Sequence, residues 1–201
     1  FVVLEDLVQR GGKFGHSTDA NGVDMIFENL EGLATLHGSL WGSDKISRAN
    51  APWLQTQMDT PVDSDQVRIM WQWIEANLED PAFREIAPRH HLDDPRKMER
   101  AFDRLGEIER GYDAPYCIVL GDCHQGNHKD MVKRYREYLI ATGAQGVPDF
   151  DEAWEQTRLF VMYGLQAWAA NLDAWGQNGI PMNERFFTAA EDYGTWQLLG
   201  E

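Results

Sequence analysis

Two short β-branched runs, Phe1-Val2-Val3-Leu4 and Tyr116-Cys117-Ile118-Val119-Leu120, stand in a chain whose apolar residues otherwise recur at helical spacing. This contrast constrains the fold more than any other feature. Each run is short, apolar and bounded by polar or glycine-bearing sequence, which reads as a buried strand. Two such strands make no independent core, so helices must build it and the strands are left to present loops. The expected class is mainly α, or α+β when the strands are counted.

The helical stripes are explicit. Val23, Ile26, Phe27, Leu30, Leu33, Ala34, His37, Leu40 and Trp41 share one face, with Asn21 as expected cap and Asp24 suited to the first turn. His37 on that stripe reads as a core histidine. Asp65 opens a second helix bearing Val67, Met70, Trp71, Ile74 and Leu78, which stops near Pro81. Asp94-Pro95 reads as N-cap and first position of a third, with Met98, Ala101, Phe102, Leu105, Ile108 and Tyr112 inward and Gly111 and Pro115 ending it. From Lys129, Met131, Val132, Tyr135, Tyr138 and Leu139 form another stripe. After a Gly143–Pro148 break, a long helix capped near Asp151 carries Trp154, Val161, Leu165, Trp168, Leu172 and Trp175. Pro181 opens the last, bearing Phe186, Phe187, Tyr193 and Trp196.

Composition narrows the function classes. A chain of 201 residues makes one substantial domain or most of a larger one. Its net charge of −15 argues against nucleic acid, whose binding needs cations against phosphates. That charge keeps the protein soluble and also suits a cationic small molecule. Two cysteines make no disulfide framework and favour a reducing, cytoplasmic setting. No secretory leader and no apolar run of membrane-spanning length is present, so no membrane partner is expected.

The chemistry concentrates where the second strand ends, in Leu120-Gly121-Asp122-Cys123-His124-Gln125-Gly126-Asn127. An aspartate set by glycine at a strand end, with an asparagine five residues on, is a device for phosphoryl transfer. The carboxylate orients an attacking hydroxyl and takes its proton, while side-chain oxygens hold Mg²⁺. Gly121 and Gly126 allow backbone angles other residues resist. Three other readings stay open. Asp122 is then a turn aspartate bonded to its own backbone, or Cys117, Cys123, His124 and His128 offer zinc ligands, or the domain binds without catalysing. Gly11-Gly12-Lys13 lacks the spacing of a phosphate loop and reads as a plain loop.

The run 120–127 resembles the catalytic loop of the aminoglycoside phosphotransferase, choline kinase and ecdysteroid kinase-like small-molecule kinases, roughly H-G-D-x-H-x-G-N. It matches at Gly121, Asp122, His124, Gly126 and Asn127 and departs at Leu120, where that family usually has histidine. Leu4-Glu5-Asp6-Leu7 is similar to the family's hinge, Leu33 to Trp41 to the helix that follows it, and Tyr135–Tyr138 with Pro148–Trp154 to its C-terminal helices. The resemblance implies a protein kinase-like C-lobe, with residues 1–7 as the last N-lobe strand and hinge and residues 8–201 as the helical lobe. It implies ATP and Mg²⁺ as cofactors, Asp122 as base, Asn127 as metal ligand, and adenine held by the Leu4 carbonyl and the Asp6 N–H. Gly121, His124 and Gly126 would support the loop. The acceptor would be a small-molecule hydroxyl, with a cationic compound compatible with the charge, lying near Trp154, Trp168 and Trp175; for the tryptophans a packed core seam is the competing reading. The family's glycine-rich loop and ATP-anchoring lysine would precede Phe1, and a segment bearing its second metal aspartate would follow His128. Asp149-Phe150 is a weak substitute for that aspartate. Lacking these parts, a non-catalytic kinase-like scaffold is the alternative function. The motifs specify neither the acceptor nor the oligomeric state.

Overall fold

The apolar stripes become helices, and their ends are decided by which groups can satisfy the first N–H and last C=O of each. The computed structural model of the protein describes residues 8–12, 22–54, 65–112 and 129–201. Among them the fold is mainly helical and contains no strand. Both runs read as strands, 1–4 and 116–120, lie outside the described residues.

Helix α1 spans Val23–Leu40, with Gly22 rather than Asn21 at its N-cap and no side-chain cap bond. Glycine there costs only a few tenths of a kcal/mol relative to asparagine. Helix α2 is Asp65–Asn77, beginning at the residue expected. Pro81 does more than stop it, because the proline is the first residue of a short helix α3, Pro81–Ile86. Asp80 caps α3 by accepting from Ala82 N at 2.8 Å and Phe83 N at 3.0 Å. A further short helix α4, Arg89–Asp93, precedes α5, Lys97–Arg110. The expected cap at Asp94-Pro95 is corrected: α5 starts later, with Arg96 at its N-cap. The Asp94 carboxylate is turned back, accepting from Arg96 N at 3.1 Å and from Arg100 Nη2 at 2.9 Å. It therefore makes an Asx-type turn ahead of the helix instead of a cap.

Helix α6, Lys129–Ala141, begins where the periodicity placed it. Gly143 and Gly146 then take φ of +87° and +67°, a left-handed region that glycine enters without strain. Helix α7, Phe150–Ala170, is capped by Asp149, whose Oδ1 accepts from Glu152 N at 2.9 Å, and not by Asp151. It ends at Ala170, so Leu172 and Trp175 lie beyond it, next to or within a 3₁₀ segment, Asp173–Asn178. Helix α8 is Gly179–Asp192, and Pro181 falls inside its first turn. The last stripe is not one helix: Gly194, at φ +64°, breaks it and a short α9, Thr195–Leu199, carries Trp196.

Helix α7 is the hub. It packs against α2, α5, α6, α8 and α9. Its inward residues Leu159, Val161, Met162, Leu165 and Ala169 join Trp71, Ile74, Phe83, Met98, Leu105, Phe187 and Trp196 in the core. Two glycines permit the closest approaches. At Gly164 a Cβ would lie 2.9 Å from Phe186 Cδ1, and nearer still to the outer ring carbons. At Gly38, where α1 meets the end of α6, it would lie 2.6 Å from Thr142 Cβ. Helix α1 reaches this body by packing on α6, which in turn packs on α7. The corner where these three meet forms a partly open cavity.

Candidate functional site

The residues assigned to the hinge and the catalytic loop, Leu4, Asp6, Gly121, Asp122, His124, Gly126 and Asn127, lie outside the described residues. So does the cysteine and histidine set Cys117, Cys123, His124 and His128. What the structure describes is the frame on either side. Helix α5 ends with Gly111 at its C-cap, whose N–H bonds the Ile108 and Glu109 carbonyls. Helix α6 begins at Lys129, leaving His128 alone between it and Asn127. The first described carboxylate after the loop is Asp130, exposed in the first turn of α6.

Asp149, the substitute considered for a second metal aspartate, is engaged elsewhere, since its carboxylate caps α7. Among the described residues no group of three or more His, Cys, Asp or Glu side chains is arranged to hold a metal ion. No helix among them is long and apolar enough to cross a membrane.

The tryptophans divide by environment. Trp168 is 4% exposed and belongs to the core, as the seam reading has it. Trp154 stands at the start of α7 with Lys129 Nζ 5.3 Å from its ring centre and the Tyr193 ring 4.9 Å away, edge-on at 68°. One face is thus occupied by the protein's own cation, and the ring also packs edge-on with an aromatic neighbour. The Trp175 side chain lies outside the described residues.

His37 is half-buried between α1 and α6. Its Nδ1 and the Tyr135 hydroxyl share a hydrogen bond at 2.6 Å, and the rings meet edge-on. Nε2 is buried without a hydrogen-bond partner among the described residues. Burial holds the imidazole below its ordinary pKa of 6.5, because the charged form is poorly solvated there. It is a structural histidine tying two helices together, as its place on the α1 stripe suggested.

Beside this pair the α1–α6–α7 corner forms a partly open cavity of about 320 Å³, bordered on one side by the Val147-Pro148 turn. Leu30, Leu33, Leu139 and Phe160 make its walls apolar, and Arg136 and Gln156 bring polar groups to it. Trp41, at the rim, donates its indole N–H to the Gln145 carbonyl at 2.8 Å and so pins the end of α1 to the turn after α6. The sequence reading did not find this cavity. Its lining spans residues 30 to 160, and only the Gly143–Pro148 break hinted that the packing opens there.

No model of a known protein family, no curated protein and no solved structure matches this chain.

Proposed function

We propose that the protein is an ATP-dependent phosphotransferase that moves the γ-phosphoryl group to a hydroxyl of a small molecule. The observation that carries this reading is the order of residues Gly121, Asp122, His124, Gly126 and Asn127 directly after an apolar β-branched run. In this proposal Asp122 takes the proton of the attacking alcohol and Asn127 gives its oxygen to Mg²⁺, while the Leu4 carbonyl and Asp6 N–H hold adenine. Transfer is in line, and catalysis comes from positioning and charge neutralisation rather than from covalent chemistry. A kinase-like C-lobe is a mainly helical body, and the described part of the chain is mainly helical. The acidic net charge of −15 favours a cationic acceptor over nucleic acid. A reducing, cytoplasmic setting belongs to the same proposal.

A second reading, in which a kinase-like scaffold binds its ligand without transferring phosphate, is favoured by one observation. Helix α6 starts at Lys129, two residues after Asn127, and the one residue between them is His128 rather than an aspartate that could complete a two-ligand metal site. Calorimetric titration with Mg-ATP, followed by mass detection of phosphorylated products over a panel of aminoglycosides, aminoalcohols and sterols, separates the two. Binding with product formation supports the phosphotransferase. Binding without any product supports the scaffold, and absence of Mg-ATP binding refutes both.

A further inference from the structure

The cations of α6 are disposed of in different ways. Lys129 lies over Trp154 and Lys133 over Phe150, the latter at 5.1 Å from the ring centre. Arg134 sits over Phe27 and Tyr138 and pairs with Glu137 at 3.1 Å. Arg136 has neither arrangement. It is half-buried at the wall of the α1–α6–α7 cavity, and its Nε donates to the Pro148 carbonyl at 2.6 Å. No carboxylate and no aromatic ring among the described residues pairs with it, in a chain with 33 acidic and 18 basic side chains. The Nε contact fixes the plane of the guanidinium and leaves the Nη hydrogens to donate elsewhere. Gln156, across the cavity on α7, makes no hydrogen bond among the described residues. Thr157 is already engaged, its hydroxyl donating to Ala153 O at 2.8 Å.

We propose that this cavity is a binding site for a small apolar carboxylic acid, a medium-chain acyl or aryl carboxylate, whose head pairs with the Arg136 guanidinium while its tail lies against Leu30, Leu33, Leu139 and Phe160. A cation removed in part from water is stabilised by an opposite charge that can accept its remaining hydrogens, and a planar carboxylate matches a guanidinium edge. One cation calls for a monoanion, which favours a carboxylate over a phosphate. The apolar walls select the tail, because each methylene taken from water into them strengthens binding. A volume of about 320 Å³ is at the lower end for small-molecule pockets, so the ligand is compact. The proposal rests on described residues alone and does not depend on the phosphotransferase reading.

Titration calorimetry of the full chain with sodium decanoate, and with decan-1-ol as the uncharged comparator, tests the proposal. Decanoate is expected to saturate a single site and decanol to bind about tenfold or more weakly, the worth of a charge-assisted hydrogen bond. Shortening decanoate to octanoate should weaken binding about fourfold per methylene. Arg136→Gln should weaken decanoate about tenfold or more and leave decanol unchanged. Ala153→Leu, which fills the cavity from α7, should weaken both. No binding of decanoate overturns the proposal, as does equal binding of decanoate and decanol, or unchanged decanoate affinity in folded Arg136→Gln. Should that variant fail to fold, the decanoate and decanol pair on the unaltered protein still decides.

Discussion

Two glycines inside helices ought to respond oppositely to the same substitution. Gly32, exposed in α1, has open space where a Cβ would stand, and Gly164 in α7 faces the Phe186 ring. Alanine in place of a mid-helix glycine gains about 0.8–1 kcal/mol by restricting the unfolded chain and improving helix propensity. Gly32→Ala should keep nearly all of that gain. At Gly164 the new Cβ would sit 2.9 Å from Phe186 Cδ1 and nearer to its outer edge, so the ring or the α7–α8 spacing must shift. Overpacking of this kind costs about 1–3 kcal/mol, leaving Gly164→Ala destabilised by about 1 kcal/mol net. In a chain of this size that lowers Tm by about 2–4 °C. Urea unfolding followed by circular dichroism measures both variants, and Phe186→Leu supplies the second arm of a double-mutant cycle. With the smaller side chain at 186, Gly164→Ala should become neutral or stabilising. A stabilising Gly164→Ala in the parent protein, or a cost unaltered beside Phe186→Leu, would refute the packing of α7 on α8 described above.

Two other outcomes follow from single side chains. Phe83 is fully buried with its ring 5.7 Å from that of Phe187, so Phe83→Ala should cost about 3–5 kcal/mol in urea unfolding, and a loss below about 1 kcal/mol would contradict its place in the core. Burial lowers the His37 pKa in the folded state, so the unfolded chain takes up a proton near pH 6.5 that the folded chain resists. Stability from this group is therefore present above pH 6.5 and is lost as pH falls from there towards the lowered folded value. The variant His37→Gln should lose less stability than the parent between pH 7.5 and 5.5, and identical slopes in the two proteins would count against this.

Much of the helical frame was legible because burial of one face imposes a 3.6-residue period, as Met98, Ala101 and Leu105 display in α5. The ends were less so, since several residues compete for each cap. Asp149 and Asp151 both suit the start of α7, and only Asp149 stands where its carboxylate meets the Glu152 N–H. Asp94 has the right chemistry for a cap, but Arg100 and the Arg96 N–H draw its carboxylate away. Phe83, among the most buried side chains, sits in a six-residue helix too short to show periodicity. Gly194 looked compatible with a continuous stripe until its left-handed backbone separated α8 from α9. The phosphotransferase proposal for residues 120–127 rests instead on local order and spacing, which the sequence displays directly. The Arg136 cavity was not legible there, because its walls come from α1, α6 and α7 and exist only once these pack.

Turnover in the Asp122→Asn protein tests the central claim most directly. Once an acceptor is found, phosphoryl transfer from Mg-ATP is measured in the parent and the variant side by side, with circular dichroism and Mg-ATP affinity as controls. If Asp122 is the base that receives the hydroxyl proton, the variant keeps its fold and its nucleotide affinity and loses turnover by about 10²-fold or more. A folded Asp122→Asn protein that transfers phosphate at the parent rate would contradict the assignment.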